Sequence, residues 1–240
     1  MIELHYGPTG NNRKVAIMLE EAAIPYRIRH YNIFKGDHLT PEFNKINPNH
    51  KIPAIIDHAP ADGGEPFAVF ESAAILQYLA DKSGAFLSRE PRERSITIQW
   101  LTWQVAGMGP MLGQASHFIR YAPERHEYAV RRYIKESRRL LEVLEKRLSE
   151  SEYLASQYSI ADMAAYPWAR LTGLLELDPA DFPSIERWCV AIENRPAVQR
   201  VYSNPETAVD PSYQQSHREL TEEEWSNTLG DRMLAAVRPK

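Results

Sequence analysis

The chain has 240 residues, 43% hydrophobic and 25% charged, with 28 Lys and Arg against 32 Asp and Glu for a formal net charge of −4. That length buries a core without disulfide or metal staples, and the charge balance gives no basic surplus for phosphates, which sets nucleic acid aside. The single cysteine, Cys189, excludes a disulfide framework or a cysteine-based zinc site and fits a reducing, cytoplasmic compartment. No stretch approaches the roughly 20 apolar residues of a membrane span.

Ile2, Leu4 and Tyr6 recur at period two, as in a half-buried strand. Residues 8–12 carry turn chemistry, with Thr9, Asn11 and Asn12 all good helix caps. Val15, Met18, Leu19 and Ala22 mark one face of an amphipathic helix that stops before Pro25. Residues 26–33 read as a second strand, and 35–49 as a polar connection with a helical turn near 41–43. Residues 51–57 are a β-branched run containing Pro53, which is tolerated at a strand start or edge; Ile52-Pro53 is a candidate cis bond. A loop over 58–66, a short strand over 67–70 and a helix over 73–80 capped by Ser72 complete a small α/β unit.

Beyond Pro91 the pattern is helical. A helix from 94 to about 108 is expected to bend or break at Gly107, Gly109 and Pro110. A long charged helix follows over 128–148, then an S-x-x-D capping box at 159–162 opening a helix over 163–175, and another helix over 183–192. Past about 203 the apolar periodicity fades, which predicts a tail that wraps the body or frays. The expected division is an α/β domain over 1–83, a linker over 84–91, an all-α domain over 92–204 and a tail over 205–240.

Familiar motifs do not complete. No P-loop follows Gly7-Pro8-Thr9-Gly10, no dinucleotide fingerprint follows Gly107-Met108-Gly109, no metal-ligand spacing joins the eight His, and no Ser sits in a nucleophile elbow. What remains is spread over three turns: Thr9 to Asn12, Asn49-His50-Lys51-Ile52-Pro53, and Glu71-Ser72. Singly they are bland, since Thr9 and Ser72 serve as caps and Lys51 as a solvated surface residue. Together, with NPNHKIPAI, FESAAILQYL and YSIADMAAYPW in that order, they resemble the cytosolic glutathione transferases, which have a thioredoxin-like N-terminal domain and an all-α C-terminal domain. Pro8-Thr9-Gly10-Asn11, the loop over 57–66 and the segment over 103–114 extend the resemblance to the nu class of glutathione-dependent disulfide-bond oxidoreductases. It covers about residues 1–200 and leaves the tail outside.

The resemblance implies glutathione as co-substrate, with no metal. Ser72 at a helix N-terminus suits the γ-glutamyl carboxylate, and Glu71 suits its ammonium. If the bond to Pro53 is cis, the Ile52 backbone would pair with the ligand's cysteine like an added strand. Lys51 is placed for the glycyl carboxylate, and His38, where relatives often carry Gln, could donate there too. A free thiol of pKa about 8.5 is only a few per cent thiolate near neutrality, and lowering it by about two units takes roughly 2.7 kcal/mol. One hydrogen bond to a charged group supplies about 1.5–3 kcal/mol and a helix N-terminus about 0.3–1 more, so Thr9 O–H or Asn11 N–H can suffice. The resemblance points to the same two residues; the rival activator, Tyr6, shares a face with Ile2 and Leu4 and reads as core.

The α/β part has no Cys, so disulfide chemistry must run on the sulfur of glutathione, and Cys189 beside Trp188 reads as an inert core thiol. Met111, Phe118 and Trp168 are expected to line a generic apolar pocket for the second substrate between the domains. Arg132 matches a position that reaches glutathione from the partner subunit, and the resemblance implies a homodimer. Disulfide reduction is the expected activity. Conjugation, peroxide reduction or ether cleavage on an electrophile are the enzymatic alternatives, and a non-enzymatic scaffold is the alternative of another kind.

Overall fold

The computed structural model describes residues 1–207 and 218–238. Strands β1 (Ile2–Tyr6), β2 (Tyr26–His30), β3 (Ala54–Asp57) and β4 (Phe67–Phe70) form one sheet in the order β2-β1-β3-β4. β1 runs parallel to β2 and antiparallel to β3, and β4 pairs antiparallel with β3 as Ala54 opposite Phe70 through Asp57 opposite Phe67. The sequence predicts a half-buried β1, yet all five of its residues are buried. Ile2, Leu4 and Tyr6 join the main core with α1 (Gly10–Glu21) and α3 (Ser72–Ser83). The other face is covered too: His5 bonds the Tyr31 hydroxyl at 2.9 Å and packs on Phe43 of the short helix α2 (Pro41–Asn44). The Tyr31 bond engages Nδ1, while the buried Nε2 makes no hydrogen bond and lies 3.5 Å from Glu3 Oε1.

Three boundaries move for local reasons. β2 stops at His30 rather than 33, because the Asn32 side chain accepts from the Phe34 and Lys35 N–H groups and winds Ile33–Lys35 into a 3-10 turn. Ser72 is the first residue of α3 rather than its cap; Glu71 holds the cap position at φ 68°. Positive φ in a non-glycine residue is backbone strain of the kind found at functional sites. The helix after Pro91 does not break at its glycines: α4 (Pro91–Trp103) passes through a π turn, Gln104–Met108, into α5 (Gly109–Arg120). Pro110, which has no N–H to give to the helical ladder, sits in the first turn of α5 directly after the π turn.

Helices α6 (Glu127–Glu150), α7 (Ile160–Ala169), α8 (Pro183–Glu193) and α9 (Pro196–Ser203) complete the helical part. α7 ends short of the expected residue 175, which lies in a 3-10 turn over Thr172–Leu175. Its capping box forms as expected, and Asp162 does more than cap. It accepts from Leu154 N, Ser159 N, Ser159 Oγ and Trp188 Nε1 at 2.9–3.0 Å, while full burial pushes its carboxyl up to about 6. α1 packs on α3, α7 and α9, which ties the two parts together.

The described part of the tail is ordered structure. α10 (Glu222–Thr228) opens on a Thr221–Glu224 capping box and is followed by α11 (Asp231–Ala236). α10 lies on the 3-10 turn at residues 33–35, where the buried Asn227 side chain donates to Phe34 O at 2.7 Å. Gly36 admits it: a Cβ there would lie 2.9 Å from Asn227 Oδ1. Among the described residues no helix is long and apolar enough to cross a membrane, and no group of three or more His, Cys, Asp or Glu is placed to hold a metal.

Candidate active site

The turn after β1 and the first turn of α1 bring two donors together. Thr9 is the N-cap of α1, and its Oγ1 accepts from Asn12 Nδ2 at 2.7 Å, which leaves the hydroxyl hydrogen to point elsewhere. Across the interface, Trp168 Nε1 on α7 donates to Asn11 Oδ1 at 3.0 Å. An indole N–H can only donate, so it takes the amide's oxygen and turns Asn11 Nδ2 outward. Two O–H and N–H donors therefore stand at the N-terminus of a helix, where the dipole favours an anion.

Tyr6 lies apart from this pair. It is 1% exposed, its hydroxyl donates to Thr207 O at 2.9 Å, and burial pushes its pKa up to about 12. Cys189 is likewise no nucleophile: burial pushes its thiol up to about 12.

Two cavities meet at Lys51, Gly113 and Trp168. The first, of about 540 Å³, is bordered by Asn11, Lys51, Ile52, Pro53, Glu71 and Ser72, all anticipated, and by Lys14 and Gln104, which were not. Ile52–Pro53 is cis, and Ile52 lies outside the strand ladder. Ser72 Oγ is 3.4 Å from Lys14 Nζ, which also donates to Gln104 Oε1 at 2.7 Å. Lys14 had a sequence signal: it shares a helix face with Ile17 and Met18, an apolar stripe where a lysine is out of place. His38 and Lys51 border a smaller recess beside Thr9 and Asn11. His38 is buried, and burial with the nearby Lys51 charge pushes its pKa down to about 4, so it stands there as a neutral imidazole.

The second cavity, of about 670 Å³, lies between Thr9 and α5, and the tail closes one side with Leu220, Thr228 and Leu229. Trp168 borders it as expected, lying so close over α5 that a Cβ at Gly113 would come within 3.3 Å of the ring. Met111 and Phe118 do not. α5 turns Gly113, Ser116, His117 and Arg120 toward this cavity, and Phe118 instead stacks on Tyr133 at 5.5 Å between ring centres. The cavity is not generically apolar either. Arg13, Lys51, Arg120, Arg170 and His117 border it, with no carboxylate among its described lining residues. Arg13 and Arg170 both lie over the Tyr202 ring, at 5.3 and 5.2 Å. Arg170 is paired with Glu193 at 2.9 Å, whereas Arg13 Nε and Nη2 are buried without a hydrogen-bond partner.

Arg132 is exposed on α6 and borders none of these cavities.

Two family models divide the chain: the glutathione S-transferase N-terminal domain matches residues 11–82 and the C-terminal domain residues 106–196. The chain belongs to the glutathione S-transferase family. Among curated glutathione S-transferase relatives, the disulfide-bond oxidoreductase YfcG of Escherichia coli is 51% identical over 198 residues, 82% of this chain and 92% of YfcG. A Burkholderia graminis glutathione transferase solved with two glutathione molecules per subunit superposes with TM-score 0.80 at 44% identity, covering 85% of this chain and 88% of that one. A Pseudomonas putida transferase holding one glutathione disulfide per subunit gives TM-score 0.79 at 40% identity, covering 85% and 91%. This transferase thus has the architecture expected of it, a thioredoxin-like unit followed by a helical one.

Proposed function

We propose that the chain is a glutathione-dependent disulfide reductase acting on acidic disulfides. The arrangement that carries this reading is the donor pair of Thr9 and Asn11, fixed by Asn12 and Trp168 at the N-terminus of α1 in a unit with no thiol of its own. Such a pair stabilises a thiolate brought in by a ligand. The name of YfcG and the glutathione disulfide in the Pseudomonas putida relative agree with it.

Glutathione occupies the smaller cavity. Its γ-glutamyl carboxylate lies on Ser72 at the N-terminus of α3 and its ammonium on Glu71. The N–H and C=O of Ile52 pair with its cysteine, and Lys51 and His38 receive the glycyl carboxylate. Its sulfur then faces Thr9 and Asn11. The thiolate attacks one sulfur of the substrate disulfide: that S–S bond breaks, a mixed disulfide with glutathione forms, and the released thiolate takes a proton from solvent. A second glutathione thiolate attacks the mixed disulfide, giving glutathione disulfide and the second substrate thiol. Two glutathiones supply the two electrons.

The cations of the larger cavity favour a substrate bearing carboxylates, glutathione-containing disulfides among them. The resemblance also carries a homodimer, in which Arg132 reaches the partner's glutathione. Exposed Phe67 and Phe70 on β4 and Tyr128 near Arg132 on α6 support an interface there. A cytoplasmic, reducing location follows from thiol chemistry and a lone cysteine.

Turnover of 2-hydroxyethyl disulfide with glutathione, run beside conjugation of a chloronitrobenzene, tests the reading. Strong disulfide turnover with weak conjugation is expected; the opposite pattern would overturn it and reopen the conjugating alternative.

A further inference from the structure

Lys14 is 1% exposed on α1, and an ammonium in such a place is ordinarily paired with a carboxylate. Here no carboxylate lies within ion-pair distance among the described residues. Its contacts are neutral: Gln104 Oε1 at 2.7 Å from the π turn, Ser72 Oγ at 3.4 Å from α3, and the Trp168 ring of α7 at 6.0 Å. Glu71 is the one charged group that acts on it, from beyond contact, and burial outweighs it to push the Lys14 pKa down to about 7.

The donors fix what faces the cavity. In its protonated form Lys14 can only donate, so the Gln104 carbonyl turns toward it, and Gln104 Nε2 is left buried with no hydrogen-bond partner. By the same logic Lys14 occupies a lone pair of Ser72 Oγ and leaves the Ser72 O–H to point outward. All three residues border the cavity of about 540 Å³. A buried cation on neutral partners, an orphaned amide and a helix N-terminus converge on one spot, and what they lack is an anion.

We propose that Lys14 is a proton-coupled positioning residue of the γ-glutamyl subsite. A carboxylate arriving on Ser72 supplies the missing counter-charge, Lys14 takes a proton from solvent, and the charged ammonium holds Ser72 and Gln104 toward the ligand. Gln104 belongs to the helical part and Lys14 to the α/β part, so occupancy also tightens their contact. The inference rests on reading this cavity as the place of the γ-glutamyl end.

The test is calorimetry at pH 8 with S-methylglutathione, which has no thiol proton to release, in buffers of different ionisation enthalpy. A lysine with a free-state value near 7 is roughly nine-tenths neutral at that pH, so uptake approaching one proton per bound ligand is expected. Lys14→Arg, which stays charged, should bind within about threefold of the unmodified protein with no uptake, whereas Lys14→Met should weaken binding about tenfold or more, also without uptake. Gln104→Glu places a carboxylate beside Lys14 and should abolish uptake in a protein that keeps its buried charge paired. Tight binding with buffer-independent enthalpy in the unmodified protein, or uptake that persists in Lys14→Arg, would overturn the proposal alone. Failure of the unmodified protein to bind S-methylglutathione would overturn the reading of the cavity as well.

Discussion

Trp168 Nε1 donates to Asn11 Oδ1 at 3.0 Å across the junction of the α/β and helical parts. The bond sets the direction of a group that no local rule on α1 could set. With its oxygen engaged, Asn11 presents only N–H toward the cavities, which suits a sulfur anion and not a neutral thiol.

Removing that donor should therefore be costly. One hydrogen bond to a charged group is worth about 1.5–3 kcal/mol, so Asn11→Ala is expected to cut disulfide turnover roughly ten- to hundredfold. Trp168→Phe keeps the amide but frees it to rotate, and should give a smaller loss together with a higher thiol pKa. Thiolate absorbance of bound glutathione against pH reads both. An unshifted titration in the two variants would remove Asn11 from the reaction.

Tyr6 provides the contrast. Its hydroxyl is committed to Thr207 O, so Tyr6→Phe should leave turnover within about twofold. The orphaned carbonyl should cost about 1 kcal/mol, a few degrees of Tm in a chain of this length. Kinetics in which Tyr6→Phe is worse than Asn11→Ala would reverse the assignment.

The charged lining of the larger cavity should show in substrate choice. Arg13→Ala is expected to raise KM for an acidic disulfide several-fold and leave 2-hydroxyethyl disulfide, which is neutral, nearly untouched; added salt should mimic it. An equal loss on both substrates would mean that Arg13 acts through packing.

The wall supplied by the tail depends on Asn227, whose amide donates to Phe34 O. Asn227→Ala removes that hydrogen bond and should loosen α10, exposing its backbone to faster hydrogen exchange. Bulkier disulfides should then gain in relative kcat/KM. Unchanged exchange over residues 222–228 would show that α10 docks without Asn227.

Two buried histidines should make the fold acid-sensitive. Burial pushes both His5 and His38 down to about 4 from an ordinary 6.5. From pH 6.5 down to about 4 the unfolded chain therefore binds protons that the folded one refuses, and stability present above pH 6.5 is lost as pH falls through that window. Asp162, raised to about 6, works the other way, since its folded form takes a proton before the unfolded form does, and it offsets part of the loss. Tm should still fall between pH 6.5 and 4, and less steeply in His38→Gln. Equal slopes in the two proteins would refute this account of His38.

Much of this was legible from residue order. The existence of β1, though not its alternating burial, the stop of α1 before Pro25 and the capping box at Ser159 and Asp162 follow local rules, and each formed. So did the grouping of Thr9, Asn11, Lys51, Ile52, Pro53, Glu71 and Ser72 around neighbouring cavities. The Thr221–Glu224 box was equally local, and it marks α10 in a tail whose apolar periodicity is weak. Lys14 was visible only as a lysine on an apolar stripe.

What residue order could not give was direction between distant segments. Which face of α5 meets the cavity depends on how α5 lies against α7. That geometry turned Gly113, His117 and Arg120 inward and left Met111 and Phe118 elsewhere. The cations at 13, 51, 120 and 170 are far apart in sequence, and only folding gathers them into one lining. Residue order carried most elements of residues 1–193 and the family, because those follow from periodicity, caps and short motifs. The charge of the second cavity, the Lys14–Gln104 contact and the aim of Asn11 belong to the tertiary structure, because each is a relation between side chains that the chain brings together only when packed.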